Sequence, residues 1–151
     1  MPLSKILNDG ISANQTLSLV RVLETANVYS TAIGGTINID VSNNTVYFFT
    51  ANTTANITFN LRANATSTFG GAINPGQTTS LAILLRNGTT RYTSSLNIDG
   101  AAQTVYYAAN TKPTGGVAIA NAEYNLVTFT IFKTDPTNYT VISSNTLFAL
   151  G

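Results

Sequence analysis

Six carboxylates carry whatever acid–base chemistry this 151-residue chain could perform: Asp9, Glu24, Asp40, Asp99, Glu123 and Asp135. With no histidine and no cysteine, nucleophilic pairs of the Ser-His or Cys-His kind are excluded, and so are thiolate or imidazole metal sites. Glycoside hydrolysis remains, since it needs only two carboxyl groups about 5–9.5 Å apart. Asp40 and Glu123 are the pair that folding could bring together, yet nothing in their surroundings directs them to meet. Three of the others stand in turn dipeptides or beside a turn proline, Asp9-Gly10, Asp99-Gly100 and Asp135-Pro136, where a short acidic side chain hydrogen-bonds nearby backbone. Phosphate loops, dinucleotide fingerprints and EF-hand loops are absent, because Gly70-Gly71 and Gly115-Gly116 lack the flanking residues those motifs require. The expectation is a protein that is not an enzyme and carries no cofactor.

Tyr106-Tyr107 and Tyr47-Phe48-Phe49 could instead bind, since an exposed tyrosine offers a sugar an apolar face and a polar handle. In a strand, however, adjacent aromatics point to opposite faces, so one of each pair belongs to the core. Arg86 and Arg91, read as solvated charges flanking a turn, would discourage edge-to-edge sheet pairing. The seven basic residues are otherwise scattered and the net charge is +1. That is no footprint for nucleic acid, which needs a basic patch.

Charged residues make up only 9% of the chain, whereas hydrophobic residues reach 44%. Such a chain folds, because disordered chains combine low hydrophobicity with high net charge, but its surface must be built from Asn, Thr and Ser. Seven Asn-x-Ser/Thr triplets occur, beginning at Asn14, Asn43, Asn52, Asn56, Asn64, Asn87 and Asn138. About four are expected by chance, and outward Asn and Thr in alternating strands raise that figure. With no apolar h-region in MPLSKILNDGIS, the triplets read as strand pattern, not as glycan acceptors. Synthesis and assembly in a cytoplasm is the expectation, and no run approaches the 18 apolar residues of a membrane span.

Positioning these residues falls to β-strands. Ile57, Phe59 and Leu61 alternate with Asn56, Thr58, Asn60 and Arg62, and Ile37, Ile39 and Val41 alternate with Thr36, Asn38 and Asp40, the period-two mark of a strand buried on one face. Gly34-Gly35, Asn43-Asn44, Asn74-Pro75-Gly76, Asn87-Gly88, Asp99-Gly100, Lys112 to Gly116 and Asp135-Pro136 punctuate the chain. About eight strands follow: 36–41, 45–50, 55–62, 79–86, 91–98, 103–108, 123–133 and 138–149. Asn87-Gly88 predicts a hairpin pairing 80–85 with the Arg91–Ser95 region. The expected fold is all-β, an antiparallel, jelly-roll-like β-sandwich over 31–151, preceded by an extended N-terminal arm over 1–30 that could equally be the first strand. No fixed-period repeat is evident.

Four segments carry a resemblance: IGGTINIDVSNNTVYFFTANTTANITFNLRANATSTF (33–69), GQTTSLAILLRNGTTRYTSSLNIDG (76–100), EYNLVTFTIFKT (123–134) and YTVISSNTLFA (139–149). In phrase order and texture they resemble a C-terminal β module of marine and cyanobacterial phage tail-fibre-like and virion structural proteins. The resemblance implies a non-enzymatic, β-rich virion subunit, homotrimeric and displayed on a particle assembled in the host cytoplasm. It carries over no catalytic, cofactor or metal residues. Such modules often follow a long fibre shaft, whereas here about 30 residues precede the match, which implies a short fibre or a decoration on the tail or capsid. Leu3, Ile6, Leu7 and Ile11 would then dock the arm on other virion proteins, with itself and a host surface glycan as further partners. The alternative is a carbohydrate-binding adhesin module using exposed Tyr and Asn.

Overall fold

The computed structural model describes residues 23–110, 112–118 and 123–149. They form an all-β fold: β1 (Ala26–Tyr29), β2 (Ile33–Asp40), β3 (Val46–Arg62), β4 (Thr78–Arg86), β5 (Thr90–Arg91), β6 (Ser94–Ile98), β7 (Ala101–Ala102), β8 (Val105–Tyr107), β9 (Gly116–Val117), β10 (Tyr124–Lys133) and β11 (Tyr139–Phe148). One helical turn, α1 (Phe69–Ala72), sits between β3 and β4. All eight predicted segments hold strands in their places, 103–108 only over Val105–Tyr107 and 91–98 as the two short strands β5 and β6. The segments 45–50 and 55–62 prove to be one 17-residue strand, β3.

β3 organises everything else. Its first part pairs with β1 and β4, Val28 and Leu84 flanking Phe48, while its second part pairs with β2 and β6, Ile37 and Leu96 flanking Phe59. All four pairings are parallel. Between the two parts the register slips on both neighbours, after Phe49 and opposite Ile33 to Gly35. There β3 bends and doubles back, so that the Tyr47 hydroxyl donates to the Asp40 carbonyl at 3.0 Å although Asp40 is paired with Arg62. Three strand–bend–strand units therefore lie side by side: β1–β2, β3 alone, and β4–β6. One sheet runs β1-β3-β4-β10-β11-β8 and the other β2-β3-β6-β7, with β3 shared. Their inner faces meet in one core, where Phe59 of the second sheet packs edge-on against Phe129 of the first at 6.2 Å.

Parallel stacking places like residues beside like. Thr36-Ile37-Asn38-Ile39-Asp40, Thr58-Phe59-Asn60-Leu61-Arg62 and Ser95-Leu96-Asn97-Ile98-Asp99 are three variants of one pentapeptide. They lie in register across β2, β3 and β6. Apolar positions two and four are buried or packed against the core, and the first and third point outward. Asn60 Nδ2 donates to Asn38 Oδ1 at 2.8 Å, Asn60 Oδ1 accepts from the Gly100 amide at 2.8 Å, and Asn97 Nδ2 donates to the Gly100 carbonyl. Below them Thr58 and Ser95 share a hydrogen bond at 3.0 Å. Each of these bonds is worth on the order of 0.5–1.5 kcal/mol net.

Strand direction is where structure and sequence reading part. The sheet is mixed, and antiparallel pairing is confined to β4–β10, β10–β11, β6–β7 and β5–β9. The expected hairpin at Asn87-Gly88 does not form, because β4 is paired on both edges, by β3 and β10. Asn87 is instead buried and starts an arc that carries the chain from the first sheet to the second. The tight turn falls at Asp99-Gly100, whose φ values of 50° and 83° are both positive, as a two-residue type I′ hairpin requires. Gly34 is small because β2 presses on the bend of β3: a Cβ there would lie 2.9 Å from Ala55 Cβ. The 1–30 segment contributes its last residues to the sheet as β1.

The centre of the asparagine ladder is its weak point. Asn60→Ala is expected to lower stability by about 1–2 kcal/mol through two lost hydrogen bonds, and Asn38→Ala by less, because the Asn60 amide can then turn to water. Urea unfolding of the two variants checks the order.

Candidate functional surfaces

Each carboxylate among the described residues has a structural partner. Asp40, at the end of β2, pairs with Arg62 at the end of β3 at 2.5 Å. Glu24 accepts from the Thr45 hydroxyl. Asp99 receives the Phe69 and Gly70 amides at 2.7 and 2.9 Å, anchoring the start of α1. Lys133, buried, donates to the Gly70 and Ile73 carbonyls at 2.6 and 2.9 Å. Held from both sides, α1 drives Phe69 fully into the core against Tyr139, 5.7 Å away.

Among the described carboxylates Glu123 is the most removed from water, its side chain 0% exposed. Arg91 grips it with two bonds, Nε to Oε1 at 2.7 Å and Nη2 to Oε2 at 2.9 Å, and Asn87 Nδ2 adds a third at 2.9 Å. The hydrogen-bonded carboxylate in turn holds the Arg91 guanidinium firmly protonated. Arg91 is therefore no solvated edge charge. Its forked guanidinium matches a carboxylate that a lysine would hold by a single point. Arg86 is part-buried and its Nη1 reaches the Thr50 carbonyl at 3.3 Å.

Asp40 and Glu123 do not come together. Asp40 sits where β2 and β3 end, whereas Glu123 precedes Tyr124, which is aligned with Arg86 and, through it, with Asn52 at the bend. The two carboxylates occupy opposite ends of the sandwich, each satisfied by its own arginine. Among the described residues no three of His, Cys, Asp and Glu gather at one place.

Four of the seven Asn-x-Ser/Thr asparagines are likewise engaged. Asn56 Oδ1 accepts from the Thr93 amide, Asn64 caps Thr66, Asn87 binds Glu123 and Asn138 binds Asp135. Asn87 is 2% exposed, a position no glycan could share.

The aromatics divide as alternation requires. Tyr47 and Phe49 are buried with Phe48 on the opposite face, and burial pushes the Tyr47 hydroxyl up to about 12. Tyr106 is 63% exposed while Tyr107 is half-buried, its hydroxyl raised by burial. Tyr106, Thr130 and Ile142 stand in one row across β8, β10 and β11. With Thr128, Ser144 and Ala108 they line a shallow groove of about 450 Å³. An aromatic face beside hydroxyls can stack on a sugar ring and hydrogen-bond its edge.

Leu3, Ile6, Leu7 and Ile11, the expected docking residues, lie outside the described residues, as does Asp9. Sequence reasoning missed the Glu123–Arg91 pair, whose members are 32 residues apart with no signal joining them. It also missed the repeated pentapeptide, whose copies start at 36, 58 and 95 and so keep no constant period.

Comparison of the chain with protein-family models, with curated proteins and with solved structures finds no match. Among the described residues no helix is long and apolar enough to cross a membrane.

Asp135 gives this carboxylate pattern a pH signature. Bonds from Asn138 Nδ2 first, then from the Thr137 and Asn138 amides, lower its carboxyl from 3.8 to about 2. A group depressed on folding stabilises above its unfolded pKa and loses that contribution as pH falls through the folded one. The stability difference between wild type and Asp135→Asn should therefore be full at pH 5 and shrink between about pH 4 and pH 2. Thermal unfolding followed across that range checks it; a pH-independent difference would show that the carboxylate is not held this way.

Proposed function

We propose that this chain is a non-enzymatic structural subunit of a phage virion, a short fibre or decoration on the tail or capsid. In this reading it assembles with copies of itself, as a homotrimer, and with other virion proteins, and it contributes to contact with the host surface. The observation that carries the non-enzymatic part is the commitment of every described carboxylate to a structural partner. Acid–base chemistry would need a carboxyl group free to exchange a proton with substrate, and Asp40, Asp99, Glu123 and Asp135 hold strands, turns and arcs in place. The virion assignment is supported by the resemblance of 33–69, 76–100, 123–134 and 139–149 to phage fibre and virion modules. A compact stack with a neutral Asn/Thr surface is compatible with display at fixed geometry in a symmetric assembly.

Peptide mass spectrometry and antibody labelling of purified particles are the test. The chain should be present in stoichiometric amount, and its recovery only from the soluble fraction would overturn the reading. If Leu3, Ile6, Leu7 and Ile11 dock the subunit, deletion of residues 1–15 should abolish particle incorporation while β-type circular dichroism persists. Unchanged incorporation would sink the docking role.

A second reading, a carbohydrate-binding adhesin module, is favoured by the groove beside Tyr106. Tyr106→Ala should then reduce binding on a glycan array by tenfold or more, in line with about 1–3 kcal/mol for a lost stacking contact, with the fold unchanged. Equal binding by the variant removes the groove from consideration.

A further inference from the structure

The two outer faces of the sandwich have opposite characters. On the second sheet, outward positions carry Thr36, Asn38, Thr58, Asn60, Ser95 and Asn97, tied to one another by hydrogen bonds. On the first sheet, one row across four strands reads Val28, Phe48, Leu84 and Leu126. The next row holds Ala26, Val46 and Ala82, and the row on the other side holds Tyr124 beside Phe148. Phe48 and Tyr124 rings lie 5.8 Å apart. Val28 is 59% exposed and Phe148 49%. An antiparallel or mixed sheet that faced water here would carry polar residues at these positions.

We propose that this apolar outer face of the first sheet is the surface through which copies of the chain associate. The inference deepens the assembly reading above and rests on it. Size is the first argument. Nine apolar positions, each about 4.8 Å by 6.8 Å, give the apolar centre roughly 300 Å², a size at which an exposed patch is often functional. Around it lie Thr146, Ser144, Thr128, Thr130 and Ser80, which bring the whole face to roughly 450 Å², so that two copies together bury about 900 Å², the scale of a weak, reversible interface. An apolar centre inside a hydroxyl-bearing rim is also how such interfaces are built.

Charge is the second argument. Among the described residues of this face the charged group is Arg86, at the bend end and turned to the Thr50 carbonyl. A nucleic acid or an anionic membrane would call for a cluster of Lys and Arg, and a charged protein for its complement. A neutral apolar face is complementary to another neutral apolar surface. A second copy of this chain supplies one. The groove at Tyr106 adjoins this face, and its lining residues Thr128, Thr130 and Ser144 belong to the rim.

Sedimentation velocity of the full chain at micromolar concentration tests the proposal. Wild type should sediment as an oligomer. Phe48→Thr/Leu84→Thr/Leu126→Thr, which keeps β-favouring residues at half-buried outer positions, should weaken association at least 100-fold with unchanged far-ultraviolet circular dichroism. Val28→Thr/Phe148→Thr, at well-exposed positions where misfolding is not a concern, should weaken it at least tenfold. A monomeric wild type overturns the proposal, whether residues 1–22 or another protein then cover the face. An oligomer indifferent to Val28→Thr/Phe148→Thr overturns it too. A monomer that is nonetheless stoichiometric in particles leaves the virion reading standing without this interface. A Phe48-dependent oligomer absent from particles supports the interface and removes the virion reading.

Discussion

The structure depends on one constraint: three pentapeptides of the form Thr/Ser-apolar-Asn-apolar-charged must lie in register on adjacent parallel strands. The register sets two things at once. It aligns Ile37, Phe59 and Leu96 as one inward row and Ile39, Leu61 and Ile98 as the next, so a slip by one residue would turn every apolar side chain to water. It also brings Asn38, Asn60 and Asn97 to the same level, where their amides and the Gly100 backbone hydrogen-bond one another. The polar ladder alone is worth little; its directionality selects the register that the core then makes stable.

That stack forces the bend in β3. A parallel neighbour cannot be reached by a two-residue hairpin, so the chain must travel away and return, and here it does so by running along one sheet and back along the other. The bend and the arc from Asn87 to Thr93 then crowd polar backbone together at one end. Glu123 meets that need: its backbone carbonyl accepts from the Asn87 amide at 2.8 Å while its carboxylate binds Arg91 and Asn87. At the other end Asp99 and Lys133 do the same for α1. The described charged residues of this low-charge chain are largely fastenings at the two ends of the sandwich, which is why they do not converge on a cleft.

Much of this was legible in the sequence. Alternation located the strands because burial on one face writes itself as period two, and it sorted Tyr47 and Phe49 from Phe48 for the same reason. The turn at Asp99-Gly100 was recognisable as punctuation. What alternation cannot express is direction. Asn87-Gly88 has the composition of a hairpin turn, but both edges of β4 are taken by β3 and β10, and turn propensity yields to strand pairing that satisfies a whole row of backbone groups. Strand direction was misjudged because the pentapeptide copies are spaced unevenly by the α1 excursion between β3 and β4.

By itself, then, the sequence determined the all-β class, the places of the strands, which side of each strand is apolar, and the lack of histidine and cysteine chemistry. These are local properties, carried by side-chain type and spacing along a few residues. Only the tertiary structure decided that the strands stack in parallel, that Arg91 finds Glu123 across 32 residues, and that one outer face is an asparagine ladder while the other is apolar. Those outcomes depend on which distant strands become neighbours, and neighbourhood is set by the core as a whole.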